Sequence, residues 1–114
     1  MHEVGIAQSI LDIAVNTCKN NGYKKVDSVK VRIGKAAGLL PDSLIFAFET
    51  MRIGTEAENA TLIIEEVPVS GICNSCKEKF SVDDPYIIQC PNCGNISLRI
   101  DTGRELNVSE VEVS

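Results

Sequence analysis

The chain has 114 residues, of which 44% are hydrophobic, and its 11 basic and 16 acidic side chains give a formal net charge of −5. This length suits one small domain with a smaller satellite and excludes a large cofactor-binding fold, while the negative charge argues against a nucleic-acid partner. No apolar run approaches the roughly 20 residues of a membrane-spanning helix and the first residues lack a signal-peptide pattern, so we expect a cytoplasmic protein that no membrane holds.

The first two thirds of the chain predict two helices and two strands. Apolar residues recur at helical spacing from Gly5 to about Asn21, whereas Val26 to Ile33 alternates apolar with polar residues, as a half-buried strand does. Pro41 suits the first turn of a second helix, which should end near Ile53. The apolar run from Ala60 to Val67 predicts a second strand.

The same spacing predicts which helical side chains enter the core. On the first helix these are Ile6, Ile10, Ile13, Ala14 and Thr17, and on the second they are Leu44, Ile45, Phe48 and Met51. We also assign Phe46 to the core, because apolar residues at such spacing are usually packed. Lys19 is the one basic neighbour of Cys18, so we expect an inert thiol that is buried or half-buried.

A third strand is predicted from Leu106 to Val113, and the segment before it is rich in turn residues and charge. We therefore predict an α+β fold with two helices and a small mixed three-stranded sheet, into which a four-cysteine zinc ribbon is inserted. The predicted domains are a discontinuous α/β domain, residues 1–68 and 100–114, and a ribbon domain, residues 69–99.

Four of the five cysteines form two C-x2-C pairs separated by thirteen residues: Cys73, Cys76, Cys90 and Cys93. This spacing is typical of tetrahedral zinc, and Gly94 allows the chain to leave the second pair with a positive φ. Four thiolates close the coordination shell, which favours a structural zinc over a catalytic one. The metal would also order a segment too short to fold by itself, since structural zinc contributes roughly 10–16 kcal/mol in finger peptides.

Other interpretations of these cysteines remain open. The sequence Cys90-Pro-Asn-Cys93-Gly94 also resembles a rubredoxin knuckle, and a C-x2-C pair can be a redox dithiol. A zinc-ribbon module that serves only protein or nucleic-acid interaction is a further alternative. Its basic residues are few, however, and acidic neighbours oppose them.

The N-terminus offers a second group of metal donors. His2 is the single histidine, and the Met1 amine, the His2 amide nitrogen and the His2 imidazole can bind one ion in a plane, which suits Ni(II) or Cu(II). A histidine at this position is more often just a mobile terminal residue. Glu3 could support such a site, or simply interact favourably with the dipole of the helix that follows.

The order of these features resembles the hydrogenase maturation factor family HypA: Met1-His2-Glu3, an early amphipathic helix, Ala47-Phe48-Glu49-Thr50 and the two C-x2-C pairs. The resemblance spans the chain and implies a nickel metallochaperone rather than an enzyme. In that family the residue matching His2 anchors the Ni(II) cargo, Glu3 supports it, and the four cysteines hold structural Zn(II).

The resemblance also implies partners, namely a HypB-type GTPase and the hydrogenase large-subunit precursor, and some relatives serve urease. It leaves open whether the chain is a monomer or a homodimer. The sequence departs from some relatives before the second helix, where they place an acidic residue near the nickel and this chain has Leu40-Pro41. Asp42 is the nearest substitute.

Overall fold

The computed structural model describes residues 3–114, and over that range the chain forms two helices and six strands. In chain order these are α1 (Glu3–Asn20), β1 (Val26–Gly34), α2 (Pro41–Met51), β2 (Thr61–Val67), β3 (Val69–Cys73), β4 (Lys79–Val82), β5 (Leu98–Thr102) and β6 (Leu106–Val113). The strands form two three-stranded sheets, ordered β2-β1-β6 and β4-β3-β5. The predicted α+β class with two helices is therefore confirmed.

The chain divides into two compact units. The helical unit contains the described residues up to Arg32 together with Leu39–Glu65 and Asn107–Ser114, and the ribbon unit contains Ile33–Gly38 and Glu66–Leu106. No helix in the described part of the chain is long and apolar enough to cross a membrane.

The core of the helical unit is built from one stripe on each helix and alternate residues of β1. The stripe of α1 consists of Ala7, Ile10, Leu11, Ala14 and Cys18, and that of α2 consists of Leu44, Ala47 and Phe48. In β1 the buried residues include Val29 and Val31, which face the same side because strand side chains alternate. Cys18 is fully buried, as predicted.

The core assignment is wrong for two residues. Ile13 is 48% exposed, because it lies roughly a third of a turn from the centre of the buried stripe of α1. Phe46 is 73% exposed, because Leu44 and Phe48 define a buried face from which it points away. In each helix, therefore, one apolar side chain that was predicted to be buried lies on an exposed face.

The ribbon unit contains three strands that the sequence did not predict. Strand β3 lies in the middle and pairs antiparallel with both β4 and β5, which places Ile72 opposite Lys79 on one side and Cys73 opposite Leu98 on the other. Gly71 is required at the centre of β3, because a Cβ atom there would lie 1.8 Å from the carbonyl oxygen of Arg99. The central strand of this small sheet ends at Cys73, the first of the four paired cysteines.

Candidate metal centre

The four paired cysteines converge on one point. Their Sγ atoms all lie within 4.8 Å of one another. Cys73 Sγ is 3.6 Å from Cys93 Sγ, and Cys76 Sγ is 3.7 Å from Cys90 Sγ. A tetrahedral ion with Zn–S bonds of about 2.3 Å would hold its sulfurs about 3.8 Å apart. The cluster therefore has the size and donor set of a tetrathiolate metal site.

The two C-x2-C pairs have the same backbone geometry. In each, the N–H of the first cysteine donates to the carbonyl five residues on, at 3.1 Å from Cys73 and 2.8 Å from Cys90. The N–H four residues on donates back to the carbonyl of that cysteine, from Lys77 and from Gly94, at 2.9 Å in both pairs. Both of these residues have positive φ, 64° and 80° respectively. The role predicted for Gly94 is confirmed, and Lys77 adopts the same conformation without the freedom of glycine.

Backbone and side-chain donors surround the sulfurs. The backbone N–H groups of Asn92 and Cys93 donate to Cys90 Sγ at 3.3 and 3.4 Å. The Asn92 side chain donates from Nδ2 to Cys76 Sγ at 3.6 Å, so this residue contacts sulfurs of both pairs. Hydrogen bonds of this kind favour the thiolate over the thiol. The side-chain contact could not be predicted from the sequence, because it joins residues that are sixteen positions apart.

The pKa values of Cys76 and Cys93 are shifted in opposite directions, although both residues are potential ligands. The backbone N–H of Glu78 and the side chain of Asn92 lower the pKa of Cys76 to about 6. At Cys93 the backbone N–H of Asn95 favours the thiolate, but desolvation and the neighbouring sulfurs outweigh it and raise the pKa to about 11. Negative charge on one sulfur opposes ionisation of the next. A bound cation would remove this conflict, which fits a metal site.

A second candidate site lies in the helical unit. Glu3 and Val4 at the start of α1, and Asp42, Phe46 and Met51 of α2, line a groove of about 920 Å³. The structure therefore brings Glu3 and Asp42 to the same groove, each from the first turn of its helix.

The predicted nickel donors are divided between described and undescribed parts of the chain. Met1 and His2 lie outside the described residues, so their assignment as nickel ligands stays a prediction. Leu40, just before α2, is 66% exposed. The groove, by contrast, is lined by two acidic side chains, those of Glu3 and Asp42.

Comparison with known proteins shows the family of the chain. The family model described as hydrogenase/urease nickel incorporation, metallochaperone, hypA matches residues 1–113. The hydrogenase maturation factor HypA of Geotalea daltonii is 41% identical over 113 residues, covering 99% of each chain. That of Chloroflexus aggregans is 39% identical over 112 residues, covering 98% of each chain.

Solved structures have the same fold. The solution structure of the Ni metallochaperone HypA from Helicobacter pylori is similar with a TM-score of 0.68 and 25% identity, over 99% of this chain and 97% of that one. A second solution structure of a HypA protein has a TM-score of 0.71 and 25% identity, over 100% of this chain and 97% of that one. The likeness therefore covers the helices and both sheets.

Proposed function

Because this chain belongs to the HypA family of nickel-incorporation metallochaperones, we propose that it binds Ni(II) at Met1-His2-Glu3 and delivers it for maturation of nickel–iron hydrogenase. A metallochaperone makes and breaks no bond in a substrate, so the chain is not an enzyme. The observation that carries the proposal is the family match over residues 1–113 of a chain whose single histidine is His2.

The donors at the N-terminus suit a cargo ion. His2 anchors the nickel, the Met1 nitrogen completes planar coordination, and Glu3 supports the site from the first turn of α1. Asp42 lines the same groove as Glu3 and is the acidic side chain that supplements it. A site at the chain terminus lets a partner reach the ion and remove it, which a carrier requires.

Zinc is the proposed resident metal. The four cysteines Cys73, Cys76, Cys90 and Cys93 would hold Zn(II) in a closed site, and the two sulfur separations near 3.8 Å support this assignment. An ion bound there would join the end of β3 to the second cysteine pair. Iron fits the same donors, but it would give a coloured protein, so a colourless preparation with one equivalent of zinc separates the two.

The proposed organisation gives each metal its own domain. Nickel binds to the discontinuous domain of residues 1–68 and 100–114, and zinc to the ribbon of residues 69–99. The compact ribbon unit, which contains all four paired cysteines, supports this division. The proposed partners are a HypB-type GTPase and the hydrogenase large-subunit precursor, in the cytoplasm, with the chain as a monomer or homodimer.

Calorimetric titration of Ni(II) into untagged, zinc-loaded protein tests the nickel proposal. We expect one site of about micromolar affinity or tighter, lost in His2→Ala and in a variant extended before Met1, because both changes remove donors. The affinity should fall with decreasing pH, since the imidazole and the terminal amine have reference pKa values of about 6.5 and 7.7–8.0.

Zinc content serves as the control in that experiment and should equal one per chain in all three proteins. Equal nickel affinity in the three proteins would contradict the proposed site and would leave the ribbon as the part of the chain to test for function.

A further inference from the structure

The side chain of Asn92 connects the two cysteine pairs. Asn92 lies between Cys90 and Cys93, yet its Nδ2 atom lies 3.6 Å from Cys76 Sγ in the other pair. Among the described residues, it is the one side-chain nitrogen that donates a hydrogen bond to a sulfur of the cluster. A thiolate accepts but does not donate, so the amide must present its NH₂ group to the sulfur.

An asparagine beside one of the paired cysteines does not always donate a hydrogen bond to a sulfur. Asn74 occupies the first pair, directly after Cys73, and its Nδ2 donates instead to the Ser97 hydroxyl at 3.1 Å. Both asparagines are exposed, so neither is forced against a sulfur by burial. The chain thus provides a matched control for the contact of Asn92.

We propose that Asn92 is a positioning residue of the four-cysteine site, whose side-chain N–H···S bond to Cys76 slows release of the bound metal. This inference rests on the proposed zinc occupancy of the site. Cys76 is half-buried, so its sulfur can otherwise be reached by water and by competing ligands. The amide occupies one approach to the sulfur and withdraws part of its negative charge.

The physical consequence is a less reactive metal–sulfur bond. Release begins when one thiolate leaves the ion, and the hydrogen bond from Asn92 Nδ2 restrains Cys76 Sγ from leaving. The bond also holds the second pair against the first, since it spans Asn92 and Cys76. Hydrogen-bonded groups around metal ligands typically change metal affinity by about 10–100-fold when they are removed.

The test compares four full-length, zinc-loaded proteins: wild type, Asn92→Ala, Asn92→Asp and Asn74→Ala. Zinc content is measured first, and the rate of release to an excess of a chromophoric chelator is measured next. We expect release about 10-fold faster from Asn92→Ala than from wild type. It should be at least as fast from Asn92→Asp, whose carboxylate has no N–H and repels the thiolate, and unchanged in Asn74→Ala.

Cobalt substitution provides a spectroscopic measurement that a less stable fold alone would not change. With Co(II) in the site, the sulfur-to-cobalt charge-transfer band should lie at lower energy in Asn92→Ala, because the lone pair on Cys76 loses its stabilising hydrogen bond. The band should stay in place in Asn74→Ala.

Two different outcomes would overturn the zinc proposal and the role of Asn92. A wild-type protein that holds no metal on its cysteines overturns the zinc proposal and this inference with it. A zinc-loaded wild type that releases its metal no more slowly than Asn92→Ala, with an unmoved cobalt band, overturns the role of Asn92 alone.

Discussion

Two phenylalanines in α2 provide a strict test of how the helical unit is packed. Phe48 is fully buried, whereas Phe46, two residues earlier, is 73% exposed. Changing either to alanine alters helix propensity by the same small amount, so the difference between the variants reports burial. Removing a buried phenylalanine costs about 3–5 kcal/mol, while an exposed substitution usually changes stability by less than about 0.5 kcal/mol.

We therefore expect Phe48→Ala to lower the melting temperature by more than about 10 °C and Phe46→Ala to change it by no more than about 4 °C, given 4–8 °C per kcal/mol for small domains. Circular dichroism at a helical wavelength is a suitable assay, because α1 and α2 both belong to the helical unit. Each protein should carry the same zinc content. Equal losses in the two variants, or a larger loss in Phe46→Ala, would refute the assignment of faces in α2.

Two further predictions concern a strained residue and a surface ion pair. Lys77→Gly should tighten apparent zinc binding about fivefold in chelator competition, because it relieves roughly 1 kcal/mol of left-handed strain, whereas Lys77→Ala, which keeps the strain, should not. The pKa of Glu56 lies below its usual 4.5 through a hydrogen bond to its own backbone N–H and the nearby Lys19, whose Nζ is 3.1 Å away. A lowered carboxyl pKa stabilises the fold above pH 4.5 and loses this effect as pH falls through the folded value. Urea unfolding should therefore show Glu56→Gln less stable than wild type at pH 7, with the gap closing below pH 4.5; a constant gap would contradict this.

Long periodic segments were predictable from the sequence. Strands β1 and β6 follow the predicted ranges closely, and α1 differs from its prediction by two residues at the start and one at the end. Strands β3, β4 and β5 were missed because each has only four or five residues, too few for an alternating pattern to stand out beside turn residues. Their pairing depends on the segments that hold the cysteines, which is a long-range property.

The metal-binding cysteines were easier to predict than their surroundings. Cysteine spacing alone indicated that Cys73, Cys76, Cys90 and Cys93 meet, since two residues between thiols constrain both toward one ion. The contact of Asn92 with a sulfur depends on how the two pairs face each other, which spacing does not encode. The shared groove of Glu3 and Asp42 likewise depends on how α1 packs against α2.

The chemistry of the two donor sets explains how one chain could handle two similar ions without exchanging them. Thiolates in a closed tetrahedral site favour zinc and leave no coordination position through which a partner could extract it. Under the proposed function, nitrogen donors at Met1 and His2 would favour nickel, and an acidic side chain such as Glu3 would be a weaker, replaceable ligand. Affinity alone would not separate the ions, because nickel and zinc bind many sites with comparable strength. Under the proposed function, delivery of nickel therefore leaves the zinc in place, because the two sites differ in donor type and in accessibility.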